Sequence, residues 1–223
     1  MRAYLFFKRL FDFCASALAL VVTSPIWLIT AIGIIISDPG PVFYLANRVG
    51  KDNKPFLMFK FRSMTVDKKA NEKSLRADAT RIFKFGSFIR ATKIDELPQL
   101  LNVFLGQMSI VGPRPAAVDQ LEITRAGKCE ICSIAKPGLT SPSAIYDYIY
   151  GDKIEDEVEY KTKVLSTRLA LDVWYVGHMN TKLDFKMIWY TVVSIISTMG
   201  ERFPENILTE LQNYVRSSHE ASI

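Results

Sequence analysis

Residues 13–37 read FCASALALVVTSPIWLITAIGIIIS, 25 positions without a charged side chain. A helix of about 20 apolar residues spans a bilayer, so this run is long enough to enter one. Its flanks bear on how it does so. Arg2, Lys8 and Arg9 precede it, and Arg48, Lys51, Lys54, Lys60 and Arg62 follow. Positive charge marks the cytoplasmic side of a membrane segment, and here it lies at both ends. The middle holds Thr23-Ser24-Pro25. Proline removes a backbone donor and bends a helix, and a nearby hydroxyl can satisfy the carbonyl left free. Each half is about 12 residues, ~18 Å at helical rise, which reaches into one leaflet only. The favoured reading is a re-entrant helix, broken at Ser24 and Pro25, that enters and leaves on the cytoplasmic face. A proline-kinked helix that crosses straight through stays open beside it. A signal peptide fits less well, because the run is too long, contains proline and lacks a convincing small-residue cleavage site.

The chain has 223 residues, enough for one well-buried domain or one domain with an appendage. Its net charge of +5 is unevenly placed, with 13 Lys/Arg against 6 Asp/Glu between Val42 and Leu100. That excess suits an anionic membrane surface, a nucleotide or nucleic acid. Of the three cysteines, Cys129 and Cys132 form a single C-x2-C. A zinc site needs about four ligands, and neither a second pair nor a nearby histidine completes one. Nothing demands an oxidising compartment.

Beyond the apolar run, Ser37-Asp38-Pro39-Gly40-Pro41 is a turn cluster. Val42–Leu45 and Phe56–Met64 read as strands. In the second, Lys60 and Arg62 alternate with Phe59 and Phe61, so period two puts both cations on one face. Such a face is either an anion site or a solvated edge. Residues 66–80 read as an exposed loop or surface helix. After Pro115 a helix is expected to about Ala126. Tyr146, Tyr148 and Tyr150 read as a strand with one aromatic face, with a sugar or base pocket as the alternative. Lys153–Lys163 and Leu165–Tyr175 read as helices, Asp172 falling on or near a polar side. Leu183–Met199 is borderline in length for a span, and fits better as a helix in the membrane interface or docked on the first helix. From Gly200 a loosely held polar tail is expected.

The chemistry concentrates at Ile94-Asp95-Glu96-Leu97-Pro98-Gln99-Leu100-Leu101-Asn102. Arg76, Arg81, Lys84, Arg90 and Lys93 come before the two acids, and Val111-Gly112-Pro113-Arg114-Pro115 after them. Carboxylates among fixed cations suit a site where a carboxylate meets a phosphate ester. Acids in a first helical turn are also common simply because they complement the helix dipole, and Pro98 is tolerated there.

Taken together, these segments resemble the bacterial sugar transferase family, the monotopic polyprenol-phosphate phosphoglycosyl transferases. The resemblance rests on Lys8-Arg9-Leu10-Phe11-Asp12, Ser24-Pro25, Pro41-Val42-Phe43-Tyr44, Arg48-Val49-Gly50 and Phe59-Lys60-Phe61-Arg62-Ser63-Met64. It continues through Arg81, Gly86 and Arg90 to Asp95-Glu96-Leu97-Pro98-Gln99-Leu100 and Met108 through Pro115, and in all runs from about residue 8 to Asp184. It implies an α+β, mainly helical fold. The parts would be a re-entrant membrane helix over residues 1–37, a cytoplasmic catalytic domain over 38–182 and a C-terminal interfacial helix with a polar tail over 183–223. It implies a place on the cytoplasmic face of the bacterial inner membrane and transfer of a phosphosugar from a UDP-sugar to polyprenol phosphate, with UMP released. Asp95 would be the nucleophile and a Mg2+ ligand. Glu96 would orient the site or handle the acceptor's proton. Arg114 would clamp phosphate, with Lys60, Arg62 and Arg90 as secondary anion contacts. Ser24 and Pro25 would shape the membrane helix. The resemblance leaves the oligomeric state open, a homodimer included.

The chain departs from the family pattern in two places. Gln107 stands where many members carry aspartate, and Pro137-Gly138-Leu139-Thr140-Ser141-Pro142-Ser143-Ala144-Ile145 replaces a common Pro-Gly-Ile-Thr-Gly loop. The sugar therefore stays open. Without a large multi-span region at its N-terminus, the chain reads as a minimal form. Two other functions compete. One is a non-catalytic protein that binds anionic lipid, indifferent to Asp95 and Glu96. The other is a UDP-sugar hydrolase on the same scaffold. Nucleic acid is disfavoured, because the paired acids oppose it and the aromatics are too buried in pattern to stack bases.

Overall fold

The computed structural model describes residues 2–66, 79–154, 156–200 and 202–220. Arg76 and most of the 66–80 segment lie outside the described residues. In chain order the elements are α1 (Arg2–Ser37), β1 (Phe43–Val49), β2 (Pro55–Phe61), α2 (Lys84–Ala91), α3 (Gln99–Phe104), β3 (Ser109–Val111) and β4 (Ala116–Ala117). They continue with α4 (Leu121–Thr124), β5 (Gly138–Thr140), α5 (Pro142–Ile149), α6 (Glu157–Tyr160), α7 (Ser166–His178), α8 (Thr181–Met199) and α9 (Glu205–Glu220). The α+β, mainly helical class holds. The sheets are small: an antiparallel β2-β1-β4 and a parallel β3-β5 pair.

Helix α1 is long and apolar enough to cross a membrane, and its helical conformation runs through Ser24-Pro25 without interruption. The expected break is therefore at most a change of direction inside a helix. Local chemistry explains why helix survives. Pro25 cannot donate to the carbonyl of Val21, four residues earlier. Ser24 Oγ donates to that same carbonyl at 2.8 Å. The adjacent Thr23 Oγ1 donates to Ala19 O at 2.7 Å.

Both ends of α1 dock on the same body. At the N-terminal end, Lys8 Nζ and Tyr4 OH meet Asp184 of α8 at 2.7 and 2.8 Å. Arg9 donates to Val103 O and Phe104 O at 2.7 and 2.8 Å, at the C-terminal end of α3, where Val103 O also accepts from Gly106 N. Asp12 Oδ1 accepts from Ile110 N at 2.9 Å. At the C-terminal end, Ile34 is fully buried with Phe61 and Ile89. Trp27 packs edge-on against Phe61. Gly33 faces the ring of Phe85 so closely that a Cβ there would lie 2.5 Å from it. Between these contacts Leu18, Val21, Val22, Leu28 and Ile29 are exposed. Soluble proteins rarely expose a contiguous apolar patch of this kind.

The main core gathers Val111, Ile145, Ile149, Tyr160, Val164, Leu171 and Tyr175 with Leu183, Met187, Ile207 and Leu211. The last four belong to the segment drawn from residue 183 as an interfacial helix and polar tail. The expected tail is instead α9, which buries Ile207 and Leu211 and stacks Tyr214 on Trp174 at 4.0 Å. Its polarity is that of an amphipathic helix with one face in the core. Helix α8 does dock on α1, and it leaves Phe185, Trp189 and Ile196 exposed.

Three local expectations are corrected. The tyrosine run is helix α5, not a strand: Ser141 caps it by accepting from Ala144 N at 2.9 Å, and Pro142 opens it. The segment after Pro115 is broken into a two-residue strand, a 3-10 turn and a one-turn helix. Asp172 is buried on α7, because Ser143 Oγ at 2.6 Å and Arg114 N at 3.0 Å both donate to it.

Candidate active site

A cleft of about 360 Å³ opens where the ends of β1 and β2, the 94–96 turn, the Arg114 loop, α5 and α8 meet. Arg48, Lys60, Lys93, Glu96 and Arg114 form a charged end. Leu139, Ile188, Val192 and Ile195 form an apolar wall.

The dyad does not open a long helix. Ile94–Glu96 is a 3-10 turn, and α3 begins only at Gln99. Lys93 turns the chain from α2 into it, with φ at +56°, a left-handed conformation uncommon outside glycine. Lys93 Nζ is held over the Tyr148 ring at 4.4 Å and near Asp152 at 3.3 Å. Asn102 ties this region to β2. Its Oδ1 accepts from Phe59 N at 3.0 Å, and its Nδ2 donates to Leu57 O and to Gln107 Oε1, both at 2.7 Å. Gln107 thus supplies the carbonyl that accepts from the second donor of Asn102.

Lys60 Nζ reaches Glu96 Oε1 at 3.2 Å. Burial opposes ionisation of Glu96, but Lys60, Lys93 and Arg114 outweigh it and hold the carboxyl down at about 2. Asp95 is the opposite case. It is 6 % exposed, and its Oδ1 has no hydrogen-bond partner in the protein. Burial pushes its carboxyl above the usual range, Glu96 adds to this, and Lys60, Lys93 and Arg90 pull back. Asp95 therefore lies behind the cleft wall, and Glu96 lines it.

Arg114 is fixed from several sides. Its guanidinium meets Asp147 Oδ2 at 3.3 Å. Its N–H goes to Asp172, and its carbonyl accepts from Arg125 at 3.0 Å. Burial would lower its affinity for a proton, but Asp147, Tyr160 and Glu96 raise it. The loop itself is pinned by the parallel β3-β5 pair, where Gly112 and Gly138 approach so closely that a Cβ on either would lie within 2.3 Å of backbone.

Of the residues expected at the site, Glu96, Lys60 and Arg114 share the cleft, Asp95 sits beneath it, and Arg90 acts on Asp95 through its charge. Arg62 is elsewhere: its guanidinium is committed to Asp38 and to Pro41 O, holding the connection from α1 to β1. Ser24 and Pro25 lie in α1. Sequence reasoning gave no site role to Arg48, Asp147 or Arg168, and held a pocket role for Tyr148 only as the alternative to a strand; Tyr148 does line the cleft. Asp147 was hidden by the strand reading of α5, since helical spacing brings it and Tyr148 to different partners. Among the described residues no group of three or more His, Cys, Asp or Glu side chains could hold a metal ion.

Comparison with known proteins decides the family. The sequence model described as bacterial sugar transferase matches residues 3–198. The chain belongs to the bacterial sugar transferase family. It is 35 % identical over 203 residues to the uncharacterized sugar transferase EpsL of Bacillus subtilis, covering 91 % of this chain and 94 % of that one. It is 38 % identical over 190 residues to a UDP-glucose:undecaprenyl-phosphate glucose-1-phosphate transferase of Klebsiella pneumoniae, covering 83 % of this chain and 39 % of that one. An undecaprenyl-phosphate galactose phosphotransferase of Salmonella typhimurium is 33 % identical over 215 residues, covering 89 % of this chain and 42 % of that one. The chain thus spans less than half the length of the relatives whose names state a substrate.

Proposed function

We propose that this chain transfers a sugar 1-phosphate from a UDP-sugar to a polyprenol phosphate at the cytoplasmic face of a bacterial membrane. The observation that carries this reading is the cleft itself: four cations and a carboxylate at one end, an apolar wall from α8 at the other. An amphiphile with a phosphate head and an isoprenoid chain needs both. Two of the relatives named above support it: the Klebsiella pneumoniae name states UDP-glucose and undecaprenyl phosphate, and the Salmonella typhimurium name states undecaprenyl phosphate and galactose.

The docking of both ends of α1 on one body supports re-entry. A body on one side of the bilayer can hold both ends only if the exposed middle dips in and returns. The cleft then lies at headgroup level, where the lipid phosphate is.

In the first step the Asp95 side chain, buried beneath the cleft, turns a carboxylate oxygen into it, and that oxygen attacks the sugar-bearing phosphorus of the donor. The bond from that phosphorus to the bridging oxygen breaks, and UMP leaves with the electron pair. In the second step a phosphate oxygen of the polyprenol phosphate attacks the same phosphorus, and the Asp95 carboxylate is released. Lys60 and Arg114 neutralise charge on the transferring group, and Asp95 divides one displacement between two anions into two. A carboxyl held at about 2 is a weak base. The phosphate acceptor is already largely ionised at neutral pH. Glu96 therefore acts by orienting Lys60 and by its charge, rather than by taking the acceptor's proton.

Mg2+ fits the residues present. The unengaged Oδ1 of Asp95, beside Glu96, supplies carboxylate oxygen, and this cation binds through one or two carboxylates plus substrate phosphates. When bound it would supply Lewis-acid charge neutralisation at the phosphoryl oxygens.

Gly138, Leu139, Thr140, Ala144 and Ile145 line the cleft, which supports a contact of this loop with the nucleotide or the sugar. The test is a panel of UDP-hexoses with purified protein in lipid. UMP release that needs polyprenol phosphate and is lost in Asp95→Asn is expected. Release that needs only water would make the chain a hydrolase.

A further inference from the structure

Behind Arg114 lies a second, smaller space of about 120 Å³, walled by Arg48, Arg114, Arg125, Arg168, Gln120 and Asp172 among others. Four guanidiniums from four separate stretches of chain converge here. Arg125 and Arg168 are each only 8 % exposed, and the Nε of each has no protein partner. Burying a guanidinium is costly unless its charge and donors are matched. The carboxylates nearby do not match them. Asp172 already accepts from Ser143 and from Arg114 N. Asp147 is shared between Arg114 and Arg168, at 3.3 and 3.7 Å. Arg48 is disfavoured as a cation by burial and by Arg114, with Arg168 adding to this, and Tyr44 and Asp119 offset it only in part. The pocket therefore holds positive charge and aimed donors in excess of what the protein satisfies. Planar forks of this kind match phosphate oxygens.

Arg48 and Arg114 line both this pocket and the cleft, so the two spaces adjoin along those side chains. We infer that the four-arginine pocket receives the phosphate of the departing nucleoside monophosphate, while the sugar-bearing phosphate sits on the cleft side of Arg114 beside Lys60. This rests on the transferase reading above and extends it to the leaving group. Negative charge grows on that phosphate as the bridging bond breaks, and preorganised donors count most where charge develops.

The test is calorimetric titration of the full chain in lipid nanodiscs with UMP, uridine and inorganic phosphate, without acceptor. UMP should bind, uridine should bind at least ~100-fold more weakly, and phosphate should compete with UMP. Arg125→Gln, which removes charged donors, should weaken UMP about tenfold or more, the size of one lost hydrogen bond to a charged group. Gln120→Glu, isosteric and on the pocket wall, should do the same by adding negative charge, and serves if Arg125→Gln does not fold. UMP affinity unchanged in the folded variants would overturn the inference. So would loss of phosphate binding with UMP binding intact, which would mark the pocket as a site for free phosphate. Because binding is read without turnover, the two readings fail separately. Wild-type protein that binds UMP in this pocket but transfers no phosphosugar would overturn the transferase reading and the leaving-group role, leaving a nucleotide-phosphate site. Active enzyme with UMP affinity indifferent to both substitutions would overturn only this inference.

Discussion

Ser24→Ala tests the membrane position of α1 through one hydrogen bond. The hydroxyl donates to the Val21 carbonyl, which Pro25 leaves without its usual backbone donor. The surrounding side chains Val21, Val22 and Ile29 are exposed and apolar. In hydrocarbon no water replaces the hydroxyl, so the substitution should cost about 1–3 kcal/mol, the penalty for a polar group left unpaired. For a chain of this size that corresponds to a fall in melting temperature of roughly 2–12 °C. In water the carbonyl would be solvated and the cost would stay within about 0.5 kcal/mol. A double-mutant cycle separates the carbonyl from everything else Ser24 does. Pro25→Ala restores the backbone donor, so Ser24→Ala in that background should cost almost nothing. The assay is thermal unfolding of the four proteins in lipid nanodiscs. Equal costs of Ser24→Ala with proline and with alanine at position 25 would refute the reasoning.

Four further outcomes are expected. Glu96 is ionised far below its ordinary value near 4.5, so its contribution to stability is complete above that pH and lost as pH falls towards 2; Glu96→Gln should flatten acid unfolding in this window. Asp95 is shifted the other way, so the acid limb of kcat/KM should lie above the ordinary aspartate value. Asp147→Asn removes the charge that holds Arg114, and kcat/KM should fall about tenfold or more, the equivalent of roughly 1.5–3 kcal/mol for a charged hydrogen bond, measured as UMP release. Ending the chain before Glu205 removes buried Ile207 and Leu211, each worth about 1.5–3 kcal/mol, so melting should drop sharply; a tail outside the core would leave it unchanged.

The elements with the clearest period or composition were legible. The apolar run is α1, the alternation at Phe59–Arg62 closes a strand, and Leu183–Met199 lies within α8 on α1. Period two also placed Lys60 at the site, but it could not distinguish it from Arg62, whose partner Asp38 is fixed only by the fold of the preceding turn. The tyrosines misled because aromatics favour strands, while the decisive signal was the Ser141-Pro142 cap before them. The C-terminal helix was missed because its buried face is narrow: Ile207 and Leu211 stand four residues apart among polar neighbours. The dyad and Arg114 were found from motif, but what aims them was not. Asn102, Asp147 and Asp172 act across 33 to 58 positions of sequence, and such pairings leave no local pattern.

The most direct test of the central claim is a rapid-mixing experiment with a UDP-sugar labelled in its sugar-bearing phosphate, with magnesium and no lipid acceptor. The account predicts a burst of up to one UMP per chain, with label on the peptide containing Asp95 that polyprenol phosphate then discharges into lipid. Full transfer to lipid by Asp95→Asn, or release of UMP with no label on the protein and none passed to lipid, would contradict it.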